Sequence, residues 1–359
     1  MSIKLINSET EWNNFFDRVG SPSFHHAWEW GTFQEKHGYP IERLGVYHKN
    51  DLIGICLVVK IRSKRGNFLL IPHGPLFETL KLDQLGFVIE PNKYESIKNI
   101  FFELNEHLKS IARNEGYWFI RMASPLLDNK INRQLFHDLG FRKSSTYIHA
   151  ETMHVIDLRK STDELLSKMR KNTRYYVRKA IKESLEIECR TDDRAMDIFW
   201  ELLAITVKRE RFVSYSKKYI DNEYRVFRKN NNAVFFLGKA PPKFAEIGPS
   251  NYLAGSLVIF TKTAGFYHHG ASIHTKIPIA YKLQWDSILY AKNRGCHFYN
   301  LHGVYRPGRA PRAWKGLTLF KQGFGGSQMD YVPTQDYAVS PKYIISFAAD
   351  QYINLKRGM

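Results

Sequence analysis

Two stretches of this chain carry residues whose types and spacing could do chemistry. In "AWKGLTLFKQGFGG" (313–326) the second lysine, Lys321, stands between Phe320 and Gln322 and is followed by Gly323, Gly325 and Gly326. Its apolar stem could cover hydrophobic surface while the ammonium reaches water. Alternatively, glycines that admit a ligand close to the backbone would let the ammonium hold a phosphate or another oxyanion. In "KMRKNTRYYVRKAIK" (168–182) seven cations, Lys168, Arg170, Lys171, Arg174, Arg178, Lys179 and Lys182, occur without one acid. Such a run gains no i,i+4 ion pairing and repels itself, so a polyanionic ligand explains it better than a solvated face does. Ser161 followed by Asp163 and Glu164 is an N-cap signal, and the segment reads as one helix over 161–183. Lys171, Arg174, Arg178 and Lys182 then share a face, with Met169, Tyr176 and Ile181 turned toward a core.

Other polar groups are less specific. "DRAMDIFWELLAITVKRERF" (193–212) ends in Lys208, Arg209 and Arg211, where a helix dipole favours cations, and Arg211 forms a polar pair with Tyr215 just beyond it. The histidine pairs His25-His26 and His268-His269 lie in or beside strand-like runs. Adjacent strand residues face opposite sides, so neither pair is expected to clamp a metal, and no metal site is expected.

The elements that position these groups occur twice. "LIGICLVVKI" leads to "GNFLLIPHGP", then to a helix running into "LKSIARNEGYWFIRMASP" and to "LFHDLGFRKSS". "LAGSLVIFTK" leads in the same order to "AGFYHHGAS", "LQWDSILYAKNRGCHFYNLHGV" and "LFKQGFGGSQ". Each half reads hairpin, helix, strand, short helix. Gly116 and Gly295 follow basic last turns and mark helix C-caps directly before strands. Two α/β (α+β) units with mixed sheets follow, and 359 residues exceed what one core usually organises. The expected division is 1–152 and 153–359, the second unit including the basic helix and a C-terminal helix.

Lys and Arg number 53 against 35 Asp and Glu, a net charge of +18, which suits nucleic acid, an anionic membrane or phosphorylated precursors. The longest apolar run, "LIGICLVV" (52–59), is too short to span a bilayer, and the first residues lack the apolar stretch of a signal peptide. A cytoplasmic protein, at most peripheral on a membrane, is expected. Cys56, Cys189 and Cys296 show neither disulfide nor zinc spacing. The G-x-S-x-G elbow, H-E-x-x-H, the Walker loop and a strand-borne G-x-G-x-x-G are all missing, as is the Q/R-x-x-G-x-G/A loop that holds coenzyme A pyrophosphate.

Taken together, "AWEWGTFQEKHGYPIERLGVY", "MRKNTRYYVRKAIKESLEIE", "FYHHGAS", "GVYRP" and "KGLTLFKQGFGG" resemble the FemABX aminoacyltransferases over nearly the whole chain. The resemblance implies two tandem Gcn5-related acetyltransferase-like domains. It also implies transfer of an amino acid from aminoacyl-tRNA to a side-chain amine of a lipid-linked or UDP-linked muramyl-pentapeptide, with no further cofactor. Lys321 matches the family's functional lysine. Arg211, Tyr215 and Tyr267 match precursor-contacting positions, although cross-strand packing competes for Tyr267, and Lys36 and Phe320 are further candidate contacts to the precursor. The seven cations of 168–182 become contacts for tRNA or phosphate.

Departures accompany the matches. Gln34 stands where the family often has a lysine, with Lys36 two residues on, and Asn300 stands where an aspartate is often seen. Asp286 and Glu35 are acids without an evident catalytic assignment, and no general base is identified. No coiled-coil arm interrupts the second half, so this is the compact form. Two other readings remain: a coenzyme A-dependent N-acyltransferase on the same fold, and a non-catalytic binder of RNA or anionic membrane. The high charge favours a lipid-linked acceptor at an anionic inner leaflet. The donor amino acid, the acceptor's diamino acid, the number of residues added and the oligomeric state are left open.

Overall fold

The computed structural model describes residues 1–242 and 248–356. They form two compact units. One comprises Met1–Met153 with Gly303–Lys315 and the chain from Gln328 onward; the other comprises His154–His302 with Gly316–Ser327.

The first unit is built on a mixed sheet ordered Ser2–Leu5, Ile41–His48, Asp51–Ser63, Gly66–Pro72, Phe119–Ala123, Gln335–Ala338, Arg142–Lys143. Gly66–Pro72 and Phe119–Ala123 pair in parallel, so the chain between them must cross over, and the helix Tyr94–Glu115 does so. Ile97, Ile100, Phe101, Leu104, Leu108 and Ala112 recur at helical spacing and are buried. Gly116, at φ 74, ends the helix in the left-handed conformation that its C-cap signal predicts.

The second sheet repeats this order: Ile187–Arg190, Ala233–Lys239, Tyr252–Phe260, Ala264–Ser272, Phe298–Gly303, Thr152–Asp157, Ser327–Asp330. Its parallel pair is Ala264–Ser272 with Phe298–Gly303, bridged by the helix Ile279–Asn293. The duplicated topology expected from the two halves is present.

Two boundaries differ from expectation. The C-terminal helix Tyr343–Lys356 belongs to the first unit, because Gln335–Ala338 pairs antiparallel with Phe119–Ala123 and commits the end of the chain to that sheet. There Arg121 donates from Nε and Nη2 to the two carboxylate oxygens of Asp336, 2.8 Å each, and from Nη2 to Asp350 at 3.0 Å. Tyr343 donates its hydroxyl to Asp336 at 3.1 Å, and Arg121 and Asp336 are buried.

The basic segment is two helices, Thr162–Lys168 and Lys171–Lys182, separated where Met169 and Arg170 turn extended at ψ 146 and 143. Ser161 and Glu164 form the expected capping box. The break has a tertiary cause: the Arg170 amide donates to the Gly323 carbonyl at 2.9 Å, and its guanidinium donates to the Leu319 carbonyl. The second helix buries Thr173, Val177 and Ala180, whereas Tyr176 and Ile181, expected to face a core, are exposed. The break resets the helical phase, so only Met169 of the three expected residues is buried.

Candidate functional site

Lys321 closes the helix Trp314–Gln322, and its side chain is buried, 5% exposed. The snorkelling reading is therefore excluded. Burial disfavours a charge and pushes the Lys321 ammonium down from 10.5 to about 7. Its Nζ lies 6.0 Å from the centre of the Tyr267 ring, within reach of the ring's negative face. Tyr267, from the strand Ala264–Ser272, folds back over Gly270: a Cβ at that glycine would lie 1.8 Å from the Tyr267 hydroxyl. Gly270 thus permits the Tyr267 rotamer that meets Lys321. Burial holds the Tyr267 phenol up at about 12, so it stays protonated and can donate a hydrogen bond. His154 donates from Nε2 to the Gly325 carbonyl at 2.8 Å, anchoring the glycine turn after Lys321.

Phe320 sits beside this pair in sequence but packs elsewhere, 5.3 Å from Tyr281 and 5.2 Å from Phe324 between ring centres. Its observed surroundings are an aromatic cluster. Arg211 and Tyr215 do not form the expected pair. Arg211 is the exposed left-handed cap of the helix Asp193–Glu210, φ 53, whereas Tyr215 stacks on Tyr219 at 4.2 Å. The neighbouring Arg209 instead reaches the Ser272 carbonyl at 2.6 Å. Lys36 lies in the first unit, exposed at the end of the helix Trp28–Lys36.

The seven cations divide by role. Arg170 caps the Leu319 carbonyl and Arg174 donates to the Ser167 carbonyl at 2.8 Å, so both hold helix ends together. Lys179 is 3.7 Å from Glu183, an i,i+4 pair that the acid-free window hid. Lys168, Lys171, Arg178 and Lys182 point to solvent.

One group was missed. His268 and His269 both face Glu223, at 2.8 Å and 3.0 Å from their Nε2 atoms to its two carboxylate oxygens. Strand alternation forbids this in a regular strand, but Leu257 pairs with His269 and Val258 with Tyr267, leaving His268 as the extra residue of a β-bulge. The signal was Gly270 within the strand, which marks bulges and close approaches. Burial would raise the Glu223 carboxyl, but the two histidines outweigh it and bring it to about 2. His25-His26 is buried: His26 donates from Nδ1 to the Pro72 carbonyl at 2.8 Å and accepts the Leu57 amide at 2.9 Å through Nε2.

A model of the FemAB family matches residues 7–123, 129–246 and 237–351. The chain belongs to the FemAB family. It is 21% identical to a lipid II:glycine glycyltransferase of Staphylococcus epidermidis and 22% identical to one of Staphylococcus aureus, covering 87% of each chain in both cases. The crystal structure of FemX superposes with a TM-score of 0.80 at 20% identity, over 98% of this chain and 100% of that one. A tandem acetyltransferase-like protein of the clavulanic acid pathway superposes with a TM-score of 0.54 at 11% identity, over 95% and 99%. The fold is the expected tandem of acetyltransferase-like units with mixed sheets.

Within this FemAB chain the departures have structural roles. Asn300 is buried and accepts the His302 amide at 2.7 Å. Asp286 pairs with Lys282 one helical turn away, and Glu35 lies 3.6 Å from Arg43.

Proposed function

We propose that this chain transfers an amino acid from aminoacyl-tRNA to a side-chain amine of a lipid-linked muramyl-pentapeptide, building a peptidoglycan interpeptide bridge. Membership of the FemAB family and the names of the glycyltransferase relatives support an aminoacyltransferase. The observation that carries the reading is Lys321, an amine taken out of water beside the Tyr267 ring and just before the glycine turn 323–326.

The reaction needs that cation. The acceptor amine attacks the ester carbonyl of the aminoacyl group, a C–N bond forms, and the carbonyl oxygen becomes an oxyanion. Collapse breaks the C–O bond to the ribose; the ribose oxygen takes a proton and the new amide nitrogen loses one. An ammonium held in place by burial stabilises the oxyanion or a phosphate beside it more strongly than one in water does. The Tyr267 hydroxyl adds a neutral donor. Acceptor amines have an ordinary pKa of about 10.4, so desolvation on binding favours the neutral, nucleophilic form.

Lys171, Arg178 and Lys182, all exposed, together with Lys168, exposed within the field of Glu164, are the tRNA contacts of this reading. Lys171→Glu/Arg178→Glu/Lys182→Glu is expected to raise KM for aminoacyl-tRNA with little change in kcat. It should also reduce the slope of log affinity against log salt by roughly 0.7 to 0.9 for each phosphate no longer neutralised. An unchanged salt slope removes these residues from the interface. The coenzyme A reading is disfavoured by the turn 273–278, which joins the strand to the crossover helix with no glycine to admit a pyrophosphate. Among the described residues no helix is long and apolar enough to cross a membrane.

The test is transfer of labelled amino acids from pooled charged tRNA to purified lipid-linked and UDP-linked pentapeptides, with acetyl-CoA as a parallel donor. Label passing from tRNA to the lipid-linked acceptor is expected and identifies the amino acid. Label passing only from acetyl-CoA overturns the donor, and label passing only to the UDP-linked form overturns the acceptor.

A further inference from the structure

Glu223 is completely buried in the helix Lys217–Arg228, yet it carries a carboxylate. A buried carboxylate without a cation is costly, and burial of ions is tolerated when they are paired or bind metal. The groups that meet it are the imidazoles of His268 and His269, whose Nε2 atoms lie 2.8 Å and 3.0 Å from separate oxygens. One carboxylate oxygen and two imidazole nitrogens come within 4.8 Å of one another.

The local backbone is shaped for this convergence. The β-bulge at His268 turns two successive side chains to one side of the strand, their ring centres 4.0 Å apart. Glu223 arrives from a helix some 45 residues earlier in the chain. A bulge leaves a ladder position unpaired, so its presence in an otherwise regular strand calls for a compensating interaction. Both histidine side chains retain 13% exposure, so the triad has an outward side that water can reach.

We propose that Glu223, His268 and His269 bind a divalent transition metal, zinc above all, with water completing the coordination. Two imidazoles and one carboxylate form the mixed nitrogen and oxygen set that zinc accepts and that magnesium and calcium, which prefer all-oxygen sites, do not. Zinc bonds of about 2.0–2.2 Å in tetrahedral geometry place ligand atoms roughly 3.3 Å apart. The two nitrogen–oxygen separations, 2.8 Å and 3.0 Å to separate oxygens, lie a few tenths of an ångström below that spacing, and one oxygen with both nitrogens lies within 4.8 Å, so a small turn of the carboxylate and the rings closes the set on an ion. The ion would join the bulged strand to the helix Lys217–Arg228, one residue from Tyr267, and so fix the backbone that presents Tyr267 to Lys321. This site stands independently of the transfer reaction.

The purified full chain, stripped with chelator, is titrated with Zn²⁺ and separately with Mg²⁺ by calorimetry, and Co²⁺ is added to read its visible ligand-field bands. One equivalent of Zn²⁺ with a dissociation constant in the micromolar range or tighter, no Mg²⁺ binding, and Co²⁺ bands of a four- or five-coordinate ion are expected. His268→Gln and His269→Gln should each weaken zinc binding at least about a hundredfold, more than loss of an outer-shell partner does. Zinc should also raise the melting temperature of the wild-type chain, a readout that does not depend on the variants folding. Absence of zinc binding to the wild-type chain overturns the proposal. So does zinc binding that persists in the His268→Gln/His269→Gln variant, since other histidines would then hold the ion.

Discussion

Lys321→Met is expected to lower kcat by about 10²–10³-fold, the range seen when an oxyanion-stabilising donor is deleted, with the fold intact. Methionine keeps the unbranched apolar stem and removes only the charge. The pH dependence separates this role from a packing role. The Lys321 ammonium of the free enzyme is drawn down to about 7, so the charged fraction falls as pH rises through that value. Wild-type kcat/KM, which reports the free enzyme, should therefore lose activity above about pH 7, and the variant should lack that limb. A bound phosphate favours the ammonium, so the corresponding limb of kcat should move to higher pH. Stability runs the other way. Between about 7 and 10.5 the unfolded chain holds a proton that the folded lysine has shed, so stability contributed by this group rises with pH across that window. Below it the burial cost is complete, and Lys321→Met should raise the melting temperature most there. Wild-type turnover in the variant, or an identical pH profile, would sink the assignment.

Asp336→Ala is expected to destabilise the first unit by about 3–5 kcal/mol, because it leaves the buried Arg121 guanidinium without its two-toothed partner. Asp350, bonded to only one nitrogen at 3.0 Å, cannot replace two hydrogen bonds. Removing both charges is a different experiment. Arg121→Met/Asp336→Leu should recover much of the loss, since a buried ion pair often contributes no more than an apolar pair of similar volume. Denaturant midpoints followed by tryptophan fluorescence and by circular dichroism check the order wild type, double variant, single variant. If the single variant proves as stable as the double, the pair is not holding the unit together.

Much of this was legible because the signals were local. Gly116 and Gly295 stop their helices where the cap rule places them, and the two halves display their common order through short-range apolar patterns. The glycines after Lys321 mark the turn that the structure shows there, with Gly325 and Gly326 both in the left-handed region. What escaped depends on distant contacts. Nothing between Ser161 and Glu183 is a helix breaker, and the break at Met169 and Arg170 is imposed by carbonyls at Leu319 and Gly323. The histidine pair escapes strand alternation because a bulge lies between its two members and the regular ladder, and Glu223, which both histidines address, lies in another element. Arg211 and Tyr215 are close in sequence, but the left-handed turn at Arg211 sends them apart.

The first sheet also has a schedule. Arg121 and Asp336 are separated by 215 residues, an interval that a ribosome working at about 5–20 residues per second covers in roughly 10–40 s. During that time the nascent first unit lacks the strand Gln335–Ala338 and exposes the Phe119–Ala123 edge with an unneutralised arginine. An early stop codon near the end of the gene would therefore damage the part of the protein made first. Such an edge is also the surface a holding chaperone would have to cover until synthesis ends.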